Sequence, residues 1–167
     1  QLYDDNGVAM VAFSDAAQTV RDLEVAGALT SGVRNDVRLK ITQHGPPDAY
    51  PHTCIGAGIQ QATSLIGASP IAGDFDTNAI VVFTDGIEDR SPRIAEVQDL
   101  ITDRVYAVGV ADAANVQNDI LRAIADDSGG FMLVTGALAQ DDEFLLEKFF
   151  IQILAGVLNR DIVRDPE

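Results

Sequence analysis

The sequence is poor in cysteine and in basic residues, and it has no long hydrophobic run. Its one cysteine, Cys54, excludes an internal disulfide framework and a multi-cysteine zinc site, because both need several thiols. Only 11 lysines and arginines stand against 26 aspartates and glutamates, so the formal charge is −15. A surface of this sign repels phosphate backbones and anionic lipid headgroups, which argues against a nucleic-acid partner. Such acidity favours extracellular, periplasmic or high-salt surroundings without assigning a compartment.

The apolar residues that are present are sufficient for one core. The chain has 167 residues, of which 47% are hydrophobic, and this suits a single globular domain over residues 1–167. The longest strongly apolar stretch, 149–158, contains Gln152 and is too short to span a bilayer, so we expect no membrane insertion. The chain opens with Gln1 and enters an apolar strand almost at once, which favours a domain that lacks an N-terminal segment.

Apolar strands alternate with amphipathic helices along the chain. The pattern predicts strands at Gly7–Phe13, 18–25, Ala79–Thr84, Arg104–Val110 and 131–134, and helices near 33–41, 55–66, 94–101, 120–125 and 146–158. Gly7–Phe13 is apolar without alternation, which predicts a strand covered on both faces. The alternation predicts an α/β domain of three layers, α/β/α, whose mostly parallel, Rossmann-like sheet has helices on both faces.

A carboxylate, Asp85, follows directly after the apolar strand Ala79–Thr84. In an open α/β sheet, ligands bind outside the carboxyl ends of the strands, where loops and helix N-termini converge. Asp85 and Gly86 are also the residue types that make a plain turn. Thr53 lies at a second junction between a loop and a helix, where we expect it to be the N-cap. Its hydroxyl and the Asp85 carboxylate are hard oxygen ligands suited to Mg²⁺ or Mn²⁺, although two ligands are too few.

Four segments, in this order, resemble the von Willebrand factor A domain family: "GVAMVAFS", "HTCIGAGI", "VVFTDG" and "VYAVGV". A later segment, "DDSGGFML", is similar to a glycine-containing element of that family, and the resemblance runs from about Gly7 to Leu158. It implies a non-enzymatic protein-binding or adhesion module with a metal-ion-dependent adhesion site. By resemblance, Thr53 and Asp85 are ligands of Mg²⁺ or Mn²⁺, with Ca²⁺ as an alternative. A Glu or Asp of a protein partner would complete the coordination.

The chain departs from the family in one respect, because the DxSxS motif occurs nowhere in it. In the family this motif supplies an Asp and two Ser ligands, and it follows the central strand of the sheet. Its absence implies that Gly7–Phe13 and Ala79–Thr84 lack the neighbour that belongs between them. The missing strand either precedes Gln1 in the native polypeptide, which we favour, or comes from another chain, or the sheet closes differently. We therefore expect the metal site to be empty or incomplete in this chain alone.

Two other functions remain open. A structural or assembly subunit that keeps the fold and has lost the metal site is the main alternative, and a degenerate DxSxS loop upstream would favour it. An α/β enzyme of phosphatase or nucleotide type is less favoured. Residue 83 is Phe, so the paired acid of haloacid dehalogenase-type phosphatases is absent, and Gln61 stands where a dinucleotide loop needs its third glycine.

Several polar residues and glycines have simpler explanations than a site. His44, His52 and Cys54 match no standard zinc spacing, so we expect the histidines in loops and the cysteine in the core. Close packing of a helix explains Gly56 and Gly58. Glu88 and Asp89, just after Asp85, are expected to form a solvated acidic loop.

Overall fold

The computed structural model describes residues 6–28, 30–43, 52–84, 87–101, 104–110, 118–130, 132–135, 148, 151–153 and 155. Within these ranges the elements are β1 (Gly7–Phe13), β2 (Ala17–Val25), α1 (Gly32–Gln43), α2 (Ile55–Ala68), β3 (Ala79–Thr84), α3 (Ile94–Val97), β4 (Arg104–Val110), α4 (Asn118–Asp127) and β5 (Met132–Thr135). Short 3₁₀ turns at Ala72–Asp74 and Gln98–Leu100 follow α2 and α3. Residues 148, 151–153 and 155 are also helical.

The described strands form two small sheets. β1 and β2 are an antiparallel hairpin joined at 14–16. β3, β4 and β5 are parallel, with β4 in the middle; Ala79 lies opposite Arg104, and Ala107 lies opposite Met132. The mixed α/β class is therefore confirmed, whereas the three layers and the single, mostly parallel sheet stay predictions. Among the described residues, β1 and β3 belong to different sheets.

The helix α2 connects the two sheets through one hydrophobic core. Ile55 and Ile59 of α2 are almost completely buried, and they cluster with Ile80 and Val82 of β3. Phe13, at the end of β1, packs against the same cluster. α2 therefore contacts both the hairpin and the parallel sheet, and its first turn lies against the segment that follows β3.

Two glycines let α2 approach its neighbours closely. A Cβ atom at Gly56 would lie 2.3 Å from the carbonyl carbon of Arg93 and 2.4 Å from the carbonyl oxygen of Pro92. A Cβ atom at Gly58 would lie 2.7 Å from the Phe13 ring. The prediction that these glycines serve helix packing is confirmed, and the first turn of α2 is seated directly on the segment that follows β3.

Several expectations about burial and helix length are wrong. β1 is half-buried along its whole length instead of covered on both faces, because in the described part of the chain it has one strand neighbour. Ile41, expected on the buried stripe of α1, is 59% exposed, since α1 packs on β2 through its earlier turns, where Arg21 pairs with Asp36. The third predicted helix ends at Val97, so Ile101 lies beyond it.

The predicted last helix, 146–158, lies mostly outside the described residues. Ile153, on its predicted apolar stripe, is buried, and Ile151, off that stripe, is exposed. No helix within the described ranges is both long and apolar enough to cross a bilayer.

Candidate functional site

The structure places one of the two predicted ligands. Thr53 is half-buried and lies two residues before α2. Asp85 and Gly86 lie outside the described residues, and the described chain resumes at Ile87. The Thr53–Asp85 pair therefore stays a prediction, and the segment that immediately follows Asp85 becomes the informative one.

The backbone of Thr53 is held by that segment. The Thr53 N–H donates to Oδ1 of Asp89 at 2.8 Å, and the Thr53 carbonyl accepts from the N–H groups of Asp89 at 3.0 Å and Arg90 at 3.3 Å. Three hydrogen bonds thus join Thr53 to two residues that follow Asp85 closely in the chain. We call these three hydrogen bonds the clamp on Thr53. No described residue hydrogen-bonds the Thr53 hydroxyl, so this side chain takes no part in the clamp.

Asp89 also contacts a histidine at the edge of the site. Nδ1 of His52 lies 2.7 Å from Oδ2 of Asp89, and the two side chains are 31% and 46% exposed. The hydrogen bond from His52, followed by that from the Thr53 N–H, lowers the pKa of the Asp89 carboxyl. An exposed pair of this kind contributes little to stability, so its main effect is to keep Asp89 ionised and oriented.

At the start of α2, the expectation that Thr53 is the N-cap is wrong, and the expectation that Cys54 is a core residue is confirmed. Thr53 is not the N-cap: Cys54 occupies that position, and no side chain of the cap residue bonds the helix. The Cys54 side chain is fully buried and its thiol donates to the carbonyl oxygen of Pro92 at 3.4 Å, as expected of a small core residue. Burial raises the pKa of this thiol. Of the three residues weighed for zinc, His44 lies outside the described residues.

A side chain from another part of the chain caps α2. Oε1 of Glu88 accepts from the N–H of Gly56 at 2.7 Å, and Oε2 of the same carboxylate accepts from the N–H of Ile94 at 2.8 Å. Glu88 is only 5% exposed, so the expectation of a solvated acidic loop is wrong for this residue, although Asp89 fits it. Desolvation outweighs the two hydrogen bonds and raises the pKa of the Glu88 carboxyl.

A second carboxylate caps α3 from the solvent side. Glu96 accepts from the N–H of Arg93 and from the hydroxyl of Ser91, each at 2.6 Å. The bond from Ser91, followed by that from Arg93, lowers the pKa of the Glu96 carboxyl. The two glutamates at the start of α3 therefore differ sharply: one is buried with a raised pKa, and the other is exposed with a lowered one.

The described residues supply only part of a metal site. They contain no group of three His, Cys, Asp or Glu side chains placed to hold an ion. The Thr53 hydroxyl is a hard oxygen donor at the rim, here defined as residues 52–56 and 87–94, and it fits the ligand chemistry of Mg²⁺. The rim also contains two acids, Glu88 and Asp89, and two arginines, Arg90 and Arg93, so its formal charge is balanced.

Comparison with known proteins identifies the fold. No protein-family model and no curated protein matches the chain. Among solved structures, it resembles a von Willebrand factor type A protein from Catenulispora acidiphila, with a TM-score of 0.66 and 20% identity over 93% of this chain and 35% of that one. It also resembles an aerotolerance-related membrane protein from Bacteroides fragilis NCTC 9343 with multiple mutations to serines, with a TM-score of 0.64 and 18% identity over 91% of this chain and 80% of that one.

These likenesses confirm the resemblance found in the sequence, and the chain has a von Willebrand factor A-like fold. It spans about a third of the length of the first structure and four fifths of the second.

Proposed function

We propose that this chain is a non-enzymatic protein-interaction domain whose rim holds a divalent cation through Thr53 and Asp85. Mg²⁺ or Mn²⁺ suits these oxygen ligands best, with Ca²⁺ as the alternative. A Glu or Asp of a protein partner would complete the coordination, which makes attachment directional and dependent on the cation. The strong negative charge of the chain disfavours nucleic acid as the partner.

One observation supports this proposal above the others: the segment after Asp85 is hydrogen-bonded to Thr53. Asp89 bonds both the N–H and the carbonyl of Thr53, and Thr84 ends the strand that leads into Asp85. Asp85 thus lies in the sequence between two described positions, the end of β3 and the segment bonded to Thr53. The loop after a parallel strand and the N-terminus of a helix meet here, as they do at ligand sites of α/β sheets.

The absence of DxSxS limits how tightly this chain alone would hold a cation. Two protein side-chain oxygens leave most coordination positions to water, and Mg²⁺ prefers six oxygen ligands. We expect weak binding by the isolated chain, and tight binding once a segment or partner provides the remaining oxygens. The same absence is what favours the second candidate, a structural or assembly subunit that has the fold and no working metal site.

Paramagnetic broadening by Mn²⁺ separates the two candidates, because it detects an ion at low occupancy. With ¹⁵N-labelled chain and Mn²⁺ alone, we expect the amide signals of Thr53 and of 84–90 to broaden first. T53A and D85N should remove this broadening, whereas D76N, a change at an exposed acid beside the opposite end of β3, should leave it intact.

Broadening spread evenly over the acidic surface, or unchanged in D85N, would contradict the cation site and favour the structural subunit. Calorimetry with Mg²⁺ provides an independent check, since a tight site in the isolated chain would show that more than two ligands are present. A turnover screen with phosphoesters tests the enzyme alternative, and we expect no turnover above background.

A further inference from the structure

Glu88 is a buried acid, and neither packing nor solubility requires an acid at a buried position. Its carboxylate is 5% exposed and lies among the N-termini of α2 and α3, where it accepts from Gly56 and Ile94. Burying an ionised carboxylate is costly unless hydrogen bonds compensate it. Here desolvation exceeds that compensation, so the pKa of Glu88 is raised. A buried acid kept at such a cost is a candidate for a functional role.

The geometry explains why a carboxylate is needed at this position. The two N–H groups belong to different elements, and they are reached by the two different oxygens of one side chain. A glutamine would present one acceptor and one donor, so one of the two N–H groups would face another N–H group. An aspartate would keep both acceptors and the charge, but its side chain is one methylene shorter.

The bridge made by Glu88 adjoins the clamp on Thr53. Glu88 precedes Asp89 in the chain, and Thr53 precedes the bridged Gly56 by three residues, so the two segments run side by side. The Gly56 backbone is packed against Arg93 with no space for a Cβ atom, which leaves the segments little freedom to slide. Fixing α2 to the start of α3 therefore also fixes where the Asp89 backbone meets Thr53.

We propose that Glu88 is a positioning residue: by joining the N-termini of α2 and α3 it holds residues 87–90, the segment that follows Asp85 in the chain, against Thr53. The positioning is a property of the fold and stands without any cation. Its consequence for cation binding rests on the proposed function.

Amide hydrogen exchange tests the positioning directly, without metal or partner. In E88Q we expect the exchange of the Gly56 or Ile94 amide to rise about tenfold or more, as the loss of a charge-assisted hydrogen bond implies. The decisive signals are the amides of Asp89 and Arg90, which bond Thr53 and not Glu88. If Glu88 positions the loop, their exchange rises as well, by at least severalfold.

E96Q is the matched control, because Glu96 caps the same helix from the exposed side. It should speed exchange at Arg93 and leave Asp89 and Arg90 as in the wild type. E88D keeps the charge and should show a smaller effect than E88Q at the amides of Gly56, Asp89, Arg90 and Ile94. If E88Q does not fold, E88D takes its place in the same exchange measurement.

Faster exchange confined to Gly56 and Ile94 would show that Glu88 is a local cap and would overturn the proposal. Exchange at Asp89 that is equal in E88Q and E96Q would do the same. These results are independent of the Mn²⁺ experiment, so a failure of the cation site and a failure of the positioning are told apart.

Discussion

The two glutamates that cap α3, Glu88 and Glu96, show how strongly the surroundings of a carboxyl group decide its pKa. Burial raises the pKa of Glu88, and hydrogen bonds from Ser91 and Arg93 lower the pKa of Glu96. Among the described residues, Arg93 lowers the pKa of Glu88 and Glu96 raises it through their charges. Both carboxylates cap the same short helix, yet only Glu88 also reaches α2.

Opposite pKa shifts predict opposite effects of pH on stability. A raised pKa means that the folded state holds the Glu88 proton more tightly than the unfolded chain does. Its contribution is therefore fully present below the ordinary value of 4.5 and is lost as the pH rises through the folded pKa. The free energy of unfolding of the wild type minus that of E88Q should fall as the pH is raised from about 4 to 7.

The same difference measured with E96Q should run the other way. The lowered pKa of Glu96 stabilises the fold above its ordinary value of 4.5, and this contribution is lost as the pH falls through the folded pKa. The effect should be small and screened by salt, because Glu96 is exposed. Urea unfolding at several pH values measures both differences, and slopes of equal sign would contradict the assignment of the two environments.

Sequence reasoning at this scale proposed two candidate ligands and missed the residues that hold the neighbouring segments in place. Asp85 and Thr53 stand out because each follows or precedes an apolar element. Glu88 gives no local signal, since the N–H groups from which it accepts at Gly56 and Ile94 lie 32 residues before it and six after it. Its burial depends on tertiary contacts that no periodicity reports.

At the scale of elements, the N-terminus of α2 is the part of the fold that the site depends on most. The apolar spacing predicts this helix well, and it spans Ile55–Ala68. The cap was predicted wrongly, because a hydroxyl residue near a helix start is usually the cap and here a distant carboxylate fulfils that role. Propensity describes isolated helices, and this one begins against another segment.

Replacement of Gly56 by Ala should be destabilising. The new Cβ atom would lie 2.3 Å from the Arg93 backbone, which cannot rotate away as a side chain could. We expect a loss of about 1–3 kcal/mol, in the range of overpacked cores. Gly67, in the same helix, has nothing within 4 Å of its Cβ position, so G67A is the control. It should stabilise the protein by about 0.5–1 kcal/mol through helix propensity.

Chemical denaturation of the two glycine variants measures this difference. A G56A protein as stable as G67A would show that the first turn of α2 is not seated on the segment after β3. The clamp on Thr53 depends on this packing, so the rim would then have no structural support.

For the whole molecule, the main question is whether two small sheets behave as one unit. β1 and β2 share no strand pairing with β3, β4 and β5 among the described residues, and α2 packs against both groups. The alternation of strands and helices was enough to predict the mixed α/β class. It could not predict the split into two sheets, which the sequence suggested only through the absence of DxSxS and the family resemblance.

Replacement of Ile59 by Ala tests this unity. Ile59 is 1% exposed in the shared core, so the variant should lose about 2–5 kcal/mol. Because α2 joins the sheets, probes in the hairpin and in the parallel sheet should report the same unfolding midpoint, lowered equally. Q60A, at an exposed neighbouring position, should change stability by less than about 0.5 kcal/mol. A hairpin that melts separately would contradict a single core.

The central claim is that Thr53 and Asp85 lie together at the carboxyl end of β3. Two oxygens bound at about 2.1 Å to neighbouring positions of one octahedral Mg²⁺ lie about 3.0 Å apart, so the two side chains would be in contact. Nuclear Overhauser spectra of the isolated chain measure this, and the contact between the Asp89 amide and Thr53 provides an internal reference. We predict cross-peaks between the β-protons of Thr53 and those of Asp85. Cross-peaks from Asp85 only to residues away from the rim, with the Asp89 reference present, would contradict the account.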